Sequence, residues 1–140
     1  MSSGLHTLIR LHKWRLDEKR RALAELQALA DKLAQDTARL EREILAEQEI
    51  ARSSPEASFG YGNFAKQAIE RRKRLAQSVA QVEHQIAEAT EEMAEAFQEL
   101  KRYELAQEGR DRREDAKRKT RENAALDEVA LSGFTRRREH

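Results

Sequence analysis

The sequence predicts an all-α fold: a long antiparallel two-helix coiled-coil hairpin whose C-terminal helix overhangs its partner. Three observations lead there. Charged residues make up 38% of the 140 and aromatics only 5%, which leaves too few apolar side chains for a compact globule. In two long stretches the apolar residues alternate at three- and four-residue spacing, the pattern of a heptad seam. The sole proline and a cluster of Ser, Gly and Asn fall together in the short interval between those stretches.

The first seam runs Leu5, Ile9, His12, Leu16, Lys19, Leu23, Leu26, Ala30, Leu33, Thr37, Leu40, Ile44, Glu47 and Ala51. The residues between are mostly Ala, Glu, Gln, Arg and Lys, good helix formers with solvated side chains. This predicts helix one over about 4–52. Ser53, Ser54 and Pro55 end it, because proline disfavours helical geometry in the residue before it. Ser58, Phe59, Gly60, Tyr61, Gly62 and Asn63 complete a loop over about 53–63, with Asn63 as N-cap of the next helix.

Helix two is predicted over about 64–132. Its seam is Leu75, Val79, Val82, Ile86, Ala89, Met93, Ala96, Leu100 and Tyr103, after which the same positions become Gln107, Arg110, Glu114, Lys117 and Arg121. Glu108 with Arg112, Glu114 with Arg118 and Asp115 with Lys119 form helix-supporting i,i+4 pairs there, so the helix continues without a partner. Gly109 marks a weak point or bend. Leu126, Val129, Leu131 and Phe134 form a small apolar cluster near a stop at Ser132-Gly133, leaving 133–140 as a short tail. The 140 residues read as a single coiled-coil domain.

Charge gives an independent check on the pairing. Folding the chain back near residue 58 sets Arg71, Arg72, Lys73 and Arg74 beside Glu41, Glu43, Glu47 and Glu49, opposite in sign. The same fold-back brings Leu5 opposite the neighbourhood of residue 111, so helix two overhangs by roughly four or five turns.

Several function classes are excluded by what the residues lack. There is no cysteine, hence no disulfide, thiolate zinc site or thiol nucleophile, which suits a reducing compartment. Early basic residues such as Arg10, Lys13 and Arg15 leave no signal-peptide apolar core, and no stretch approaches the roughly 20 apolar residues of a membrane span; the reading is a soluble, cytoplasmic protein. A formal net charge of +1 imposes no overall preference for nucleic acid or membrane. No phosphate-loop or nucleophile-elbow motif occurs, and Gly60-Tyr61-Gly62 reads as a flexible turn. His6, His12, His84 and His140 contain no i,i+4 pair for a metal. The carboxylates from Glu83 to Glu99 form a solvated face. No enzyme is expected, and no cofactor or small-molecule substrate.

Two features call for a partner. Leu8, Leu11 and Trp14 recur every third residue and miss the seam, forming an apolar strip flanked by Arg10, Lys13 and Arg15. The alternatives are a docking surface, since exposed apolar patches and tryptophan mark interfaces, or packing against helix two at Leu105 or beyond. The second feature is basic charge at the open end, from Arg10 to Arg21 and from Arg110 to Arg121, with Arg136, Arg137 and Arg138 behind. Interleaved Asp111, Glu114, Asp115 and Glu122, and the lack of an aromatic platform for bases, make nucleic acid the lesser candidate and favour a protein with an acidic rim.

The ends of the chain also carry a resemblance. Leu5-His6-Thr7-Leu8-Ile9-Arg10-Leu11 followed by Asp17-Glu18-Lys19-Arg20-Arg21-Ala22-Leu23, and then Tyr103-Glu104-Leu105-Ala106-Gln107-Glu108, Arg112-Arg113-Glu114 and Leu126-Asp127-Glu128-Val129-Ala130, resemble the opening helix and C-terminal signature of the FliJ family of flagellar type III export proteins. The resemblance implies an antiparallel coiled coil similar in shape to the rotary stalk of F-type ATPases, with its paired terminal end in the export ATPase hexamer. It also implies contact with the membrane-embedded export gate, escort of export chaperones, coupling of another subunit's ATP hydrolysis to export, and a cytoplasmic location peripherally associated with the inner-membrane export apparatus.

Carried onto this sequence, the ATPase-facing candidates are Leu8, Leu11, Trp14, Arg15, Arg112, Arg113, Lys117, Arg121, Leu126, Asp127 and Glu128. The gate-facing ones are Ile69, Arg72 and Leu75, with a core role the alternative for Leu75. Two rival classes fit the residues: a self-assembling structural coiled coil, and a nucleic-acid binder acting through its basic tip.

Overall fold

The computed structural model describes residues 2–139. Two long helices dominate: α1 spans Ser2–Ser53 and α2 spans Tyr61–Glu139. A single 3-10 turn at Ala57–Phe59 lies between them, and no strand occurs among the described residues. Because Pro55 carries no backbone N–H, α1 cannot continue through it. The Ser53 hydroxyl donates to the Ile50 carbonyl at 2.7 Å, and the Ser58 N–H donates to the Ser54 carbonyl at 3.2 Å, so the connection satisfies its own polar groups locally.

The connection is shorter than the sequence predicts. Phe64 N–H donates to the Gly60 carbonyl at 3.2 Å, so the first turn of α2 is already formed before Asn63. Asn63 is therefore a residue inside the helix and not its N-cap. Gly60 sits in ordinary right-handed space at φ −83 and ψ −13, and no described residue has positive φ.

At the other end α2 runs through Ser132 and Gly133 to Glu139, where a tail was expected. Local contacts support the extra turns. The Thr135 hydroxyl donates to the Leu131 carbonyl at 2.9 Å, and the Arg138 guanidinium lies 5.6 Å from the centre of the Phe134 ring. Arg136, Arg137 and Arg138 occupy the last turn, where positive charge opposes the helix dipole. Gly109 likewise interrupts nothing, since α2 is continuous across it.

The chain divides into two compact units, one formed by the described parts of residues 1–13 and 97–140, the other by residues 14–96. In the second unit the two helices run antiparallel: Lys19 meets Glu92 at 2.9 Å, Glu41 meets Arg72 at 2.8 Å and Glu43 meets Arg71 at 3.2 Å. Number rises along one helix as it falls along the other. Leu16, Leu40, Ala68 and Val82 are buried between them, with Leu40 only 1% exposed. Leu23, Leu26, Leu33, Ile44, Leu75, Val79, Ile86 and Met93 are half-buried. The seam of α2 extends further back than Leu75, through half-buried Phe64 and Ala65 and buried Ala68.

The expected charge matching is realised in part. Arg72 grips Glu41 with two parallel hydrogen bonds of 2.8 and 2.9 Å, the fork geometry that suits guanidinium and carboxylate. Lys73 instead pairs with its own-helix neighbour Glu70 at 3.8 Å, and Glu49 with Arg52 at 3.6 Å. Three- and four-residue neighbours on one helix are within easier reach than a side chain across the groove.

In the other unit Leu5, His12 and Leu100 are buried, and Ile9, Tyr103, Gln107 and Gly109 are half-buried. From Arg110 to Ser132 every residue is exposed. Gln107 is the last half-buried position of the seam, and from Arg110 onward α2 projects bare within this unit. The expected i,i+4 pairs do not form in that projecting segment. Asp115 accepts from Arg118 at 3.0 Å in an i,i+3 pair, and Asp111 accepts from Gln107 at 2.9 Å.

Candidate functional site

The candidate surfaces follow from which side chains the two-helix packing leaves uncovered. A helix presents each residue at about 100° from the last, so one helix facing another covers only the seam and its immediate flanks. Leu8 and Leu11 fall outside that arc and remain 39% and 40% exposed. Packing against Leu105 does not cover them, since Leu105 is itself 60% exposed. In the unit of residues 14–96, Trp14 is 60% exposed and Arg15 is also exposed. An indole this open is a side chain of the type enriched at binding hot spots.

On the projecting part of α2, Arg112, Arg113, Lys117, Arg121, Leu126, Asp127 and Glu128 are all exposed. None of these four cations has an ion-pair partner among the described residues, whereas neighbouring Arg118 is held by Asp115. Leu126 at 66% and Val129 at 69% exposed sit three residues apart, hence on one side of the helix. The sequence-predicted residues of this segment therefore share accessibility, and all but Leu126 are charged.

The three residues Ile69, Arg72 and Leu75 do not form one surface. Ile69 and Arg72 line a groove with Ile44, Gln48, Tyr61 and Phe64. Leu75 is half-buried in a different groove with Asp36, Arg39, Arg71, Arg74 and Ser78. Arg72 is also engaged by Glu41. Sequence reasoning missed Leu45 and Phe59, which are 65% and 91% exposed. Leu45 is apolar and off the seam, a signal that was available; Phe59 was absorbed into the turn.

Among the described residues no three His, Asp or Glu side chains gather as a metal site requires, and no helix is long and apolar enough to cross a membrane. His84 is engaged by Glu88 at 2.9 Å along its own helix, and His12 by the ring of Tyr103; His140 lies outside the described residues. What the arrangement offers is surface: helical faces carrying uncovered cations and apolar side chains.

No curated protein and no solved structure matches the chain. The family model described as "Flagellar FliJ protein" matches residues 1–139, a span that includes both the N-terminal and the C-terminal stretches on which the resemblance rests. That family consists of non-enzymatic components associated with flagellar export, in keeping with a fold made of two long helices. The chain belongs to the flagellar FliJ protein family.

Proposed function

We propose that this protein is a stalk-like coiled coil of the flagellar type III export apparatus that binds the export ATPase hexamer and the export gate, couples ATP hydrolysis by that ATPase to export, and escorts export chaperones. The observation that carries the reading is the uncovered projection of α2 beyond Gly109 in a chain of this family. A helix held at its base and bare along its length is suited to entering a ring or cleft in another protein.

The ATPase-facing residues of that unit are Leu8, Leu11, Arg112, Arg113, Lys117, Arg121, Leu126, Asp127 and Glu128. Trp14 and Arg15, in the other unit, are assigned to the same partner. Ile69 and Arg72 are assigned to the gate; Leu75, half-buried, contributes through packing. The protein acts in the cytoplasm, peripherally associated with the inner-membrane export apparatus.

Co-purification with the export ATPase, together with a motility assay, tests this. Trp14→Ala combined with Arg113→Glu is expected to weaken ATPase binding and reduce swimming. Unchanged binding and motility would remove the assignment of these surfaces. A self-assembling structural coiled coil would instead sediment as an oligomer that persists on dilution.

A further inference from the structure

The projecting segment of α2 carries a basic stripe, no member of which has a partner among the described residues. Arg110, Arg113, Lys117 and Arg121 are spaced by three, four and four residues, which keeps them within an arc of about 80° on a helix of 3.6 residues per turn. All four are exposed, and none makes an ion pair or hydrogen bond among the described residues. They prolong the line of the seam: Leu100 and Tyr103 lie on it under α1, half-buried Gln107 follows, and the cations begin where coverage stops. Glu114 flanks the stripe.

On the far side of the helix lie Glu104, Glu108, Asp111, Asp115 and Glu122, with Arg112 and Lys119 among them. Several of these carboxylates are already occupied. Lys101 is 3.9 Å from Glu104, Gln107 donates to Asp111 at 2.9 Å and Arg118 donates to Asp115 at 3.0 Å. Three carboxylates of that side are thus engaged from their own helix, whereas no member of the basic stripe is.

We infer that the stripe Arg110, Arg113, Lys117 and Arg121 is a docking face for an acidic protein segment, one that presents carboxylates over about 16 Å, eleven steps along the helix. Three of its four members are also in the proposed ATPase-facing set, and the inference rests on that reading only for the identity of the partner. Charge complementarity selects the chemistry. A bilayer is disfavoured because a membrane-surface helix needs an apolar face opposite its cations, and here that face is charged, with carboxylates beside Arg112 and Lys119. A duplex is disfavoured because those same carboxylates lie within about one Debye length of any phosphate the stripe would touch, and no aromatic side chain accompanies the cations.

The test uses the full chain and three probes measured by titration at low and at 0.3 M salt: a helical peptide with glutamates at i, i+3, i+7 and i+11, a DNA duplex, and phosphatidylserine vesicles. The peptide is expected to bind most tightly and to lose affinity as salt rises. Arg113→Glu with Lys117→Glu should weaken it by about tenfold, the scale of several weak ion pairs acting together. Arg118→Glu with Lys119→Glu, the same change in net charge on other faces, should weaken it by less than about threefold. Arg113→Gln with Lys117→Gln should fall between, and circular dichroism should show every variant equally helical. Equal losses in the two reversals, or tighter binding to duplex or vesicle than to peptide, would overturn the inference. Titration with the export ATPase is a separate arm. Peptide binding that depends on the stripe, with no binding to the ATPase, would leave the docking face standing and remove the proposed partner.

Discussion

The imidazole of His12 stacks on the ring of Tyr103, with centroids 4.6 Å apart and planes inclined by 23°. His12 is 8% exposed, a polar residue buried in the seam. Its partner supplies a flat face where an aliphatic side chain would leave the ring edges unmatched. Because the contact is made through the rings, Tyr103→Phe is expected to change stability by less than about 0.5 kcal/mol, while Tyr103→Ala should cost about 2 kcal/mol through lost area and lost stacking. Thermal unfolding followed by circular dichroism checks both. Equal loss in the two variants would mean that the phenol hydroxyl, not the stack, matters.

Gly109 sits at the last half-buried position before the exposed projection, within an unbroken helix. A Cβ placed there would meet only the Arg113 Nη2 atom at 4.0 Å, an ordinary contact with the end of a flexible side chain. Gly109→Ala is therefore expected to stabilise α2 by about 1 kcal/mol. Hydrogen exchange of amides 105–115 should slow correspondingly. Faster exchange would show that the glycine serves a bend absent from this conformation.

Leu40 and Leu45 are separated by little more than one turn yet differ in burial, at 1% and 65% exposed. Leu40→Ala removes a side chain packed on all sides and is expected to cost about 2–4 kcal/mol. Leu45→Ala should fall within about 0.5 kcal/mol of the parent. Urea unfolding midpoints of the two variants decide the matter. A large loss for Leu45→Ala would mean that a partner, here a second copy, covers it in solution.

The seam of α1 was legible residue by residue: every position from Leu5 to Ala51 on its three-four spacing is buried or half-buried, including Lys19, Thr37 and Glu47. Such polar positions survive because long or self-satisfied side chains can reach out of the interface, as Lys19 does to Glu92 and Thr37 to the Leu33 carbonyl at 2.8 Å. The start of α2 was not legible. Tyr61, Gly62 and Asn63 have turn chemistry, and the packing of Phe64, Ala65 and Ala68 against α1 outweighs it. The end was misread for the opposite reason: Gly133 permits a stop but does not impose one, and the local Thr135 and Arg138 contacts favour continuation. For the candidate surfaces, periodicity showed which side chains miss the seam. It could not show that Leu105 leaves Leu8 and Leu11 uncovered, or that Ile69 and Leu75 line separate grooves, because those depend on which flank of the opposing helix each residue meets.

The bidentate contact between Arg72 and Glu41 joins the two helices of its unit across 31 residues of sequence. Both side chains remain about half exposed, at 50% and 46%, so solvent screens the pair and its contribution is about 0.5–1 kcal/mol. Arg72→Glu opposes two carboxylates and is expected to lower stability by more than Arg72→Ala. Adding Glu41→Arg restores opposite charges in exchanged order, and the double variant should recover most of the loss. Because the interaction is electrostatic and partly solvated, that recovery should shrink as salt rises from 0.05 to 0.5 M, since the Debye length falls to about 4 Å. Urea denaturation of the parent, the two single variants and the double variant at both salt concentrations gives the coupling directly. Absence of coupling at low salt would mean that the helices are aligned by the apolar seam alone and that Arg72 is free to engage a partner.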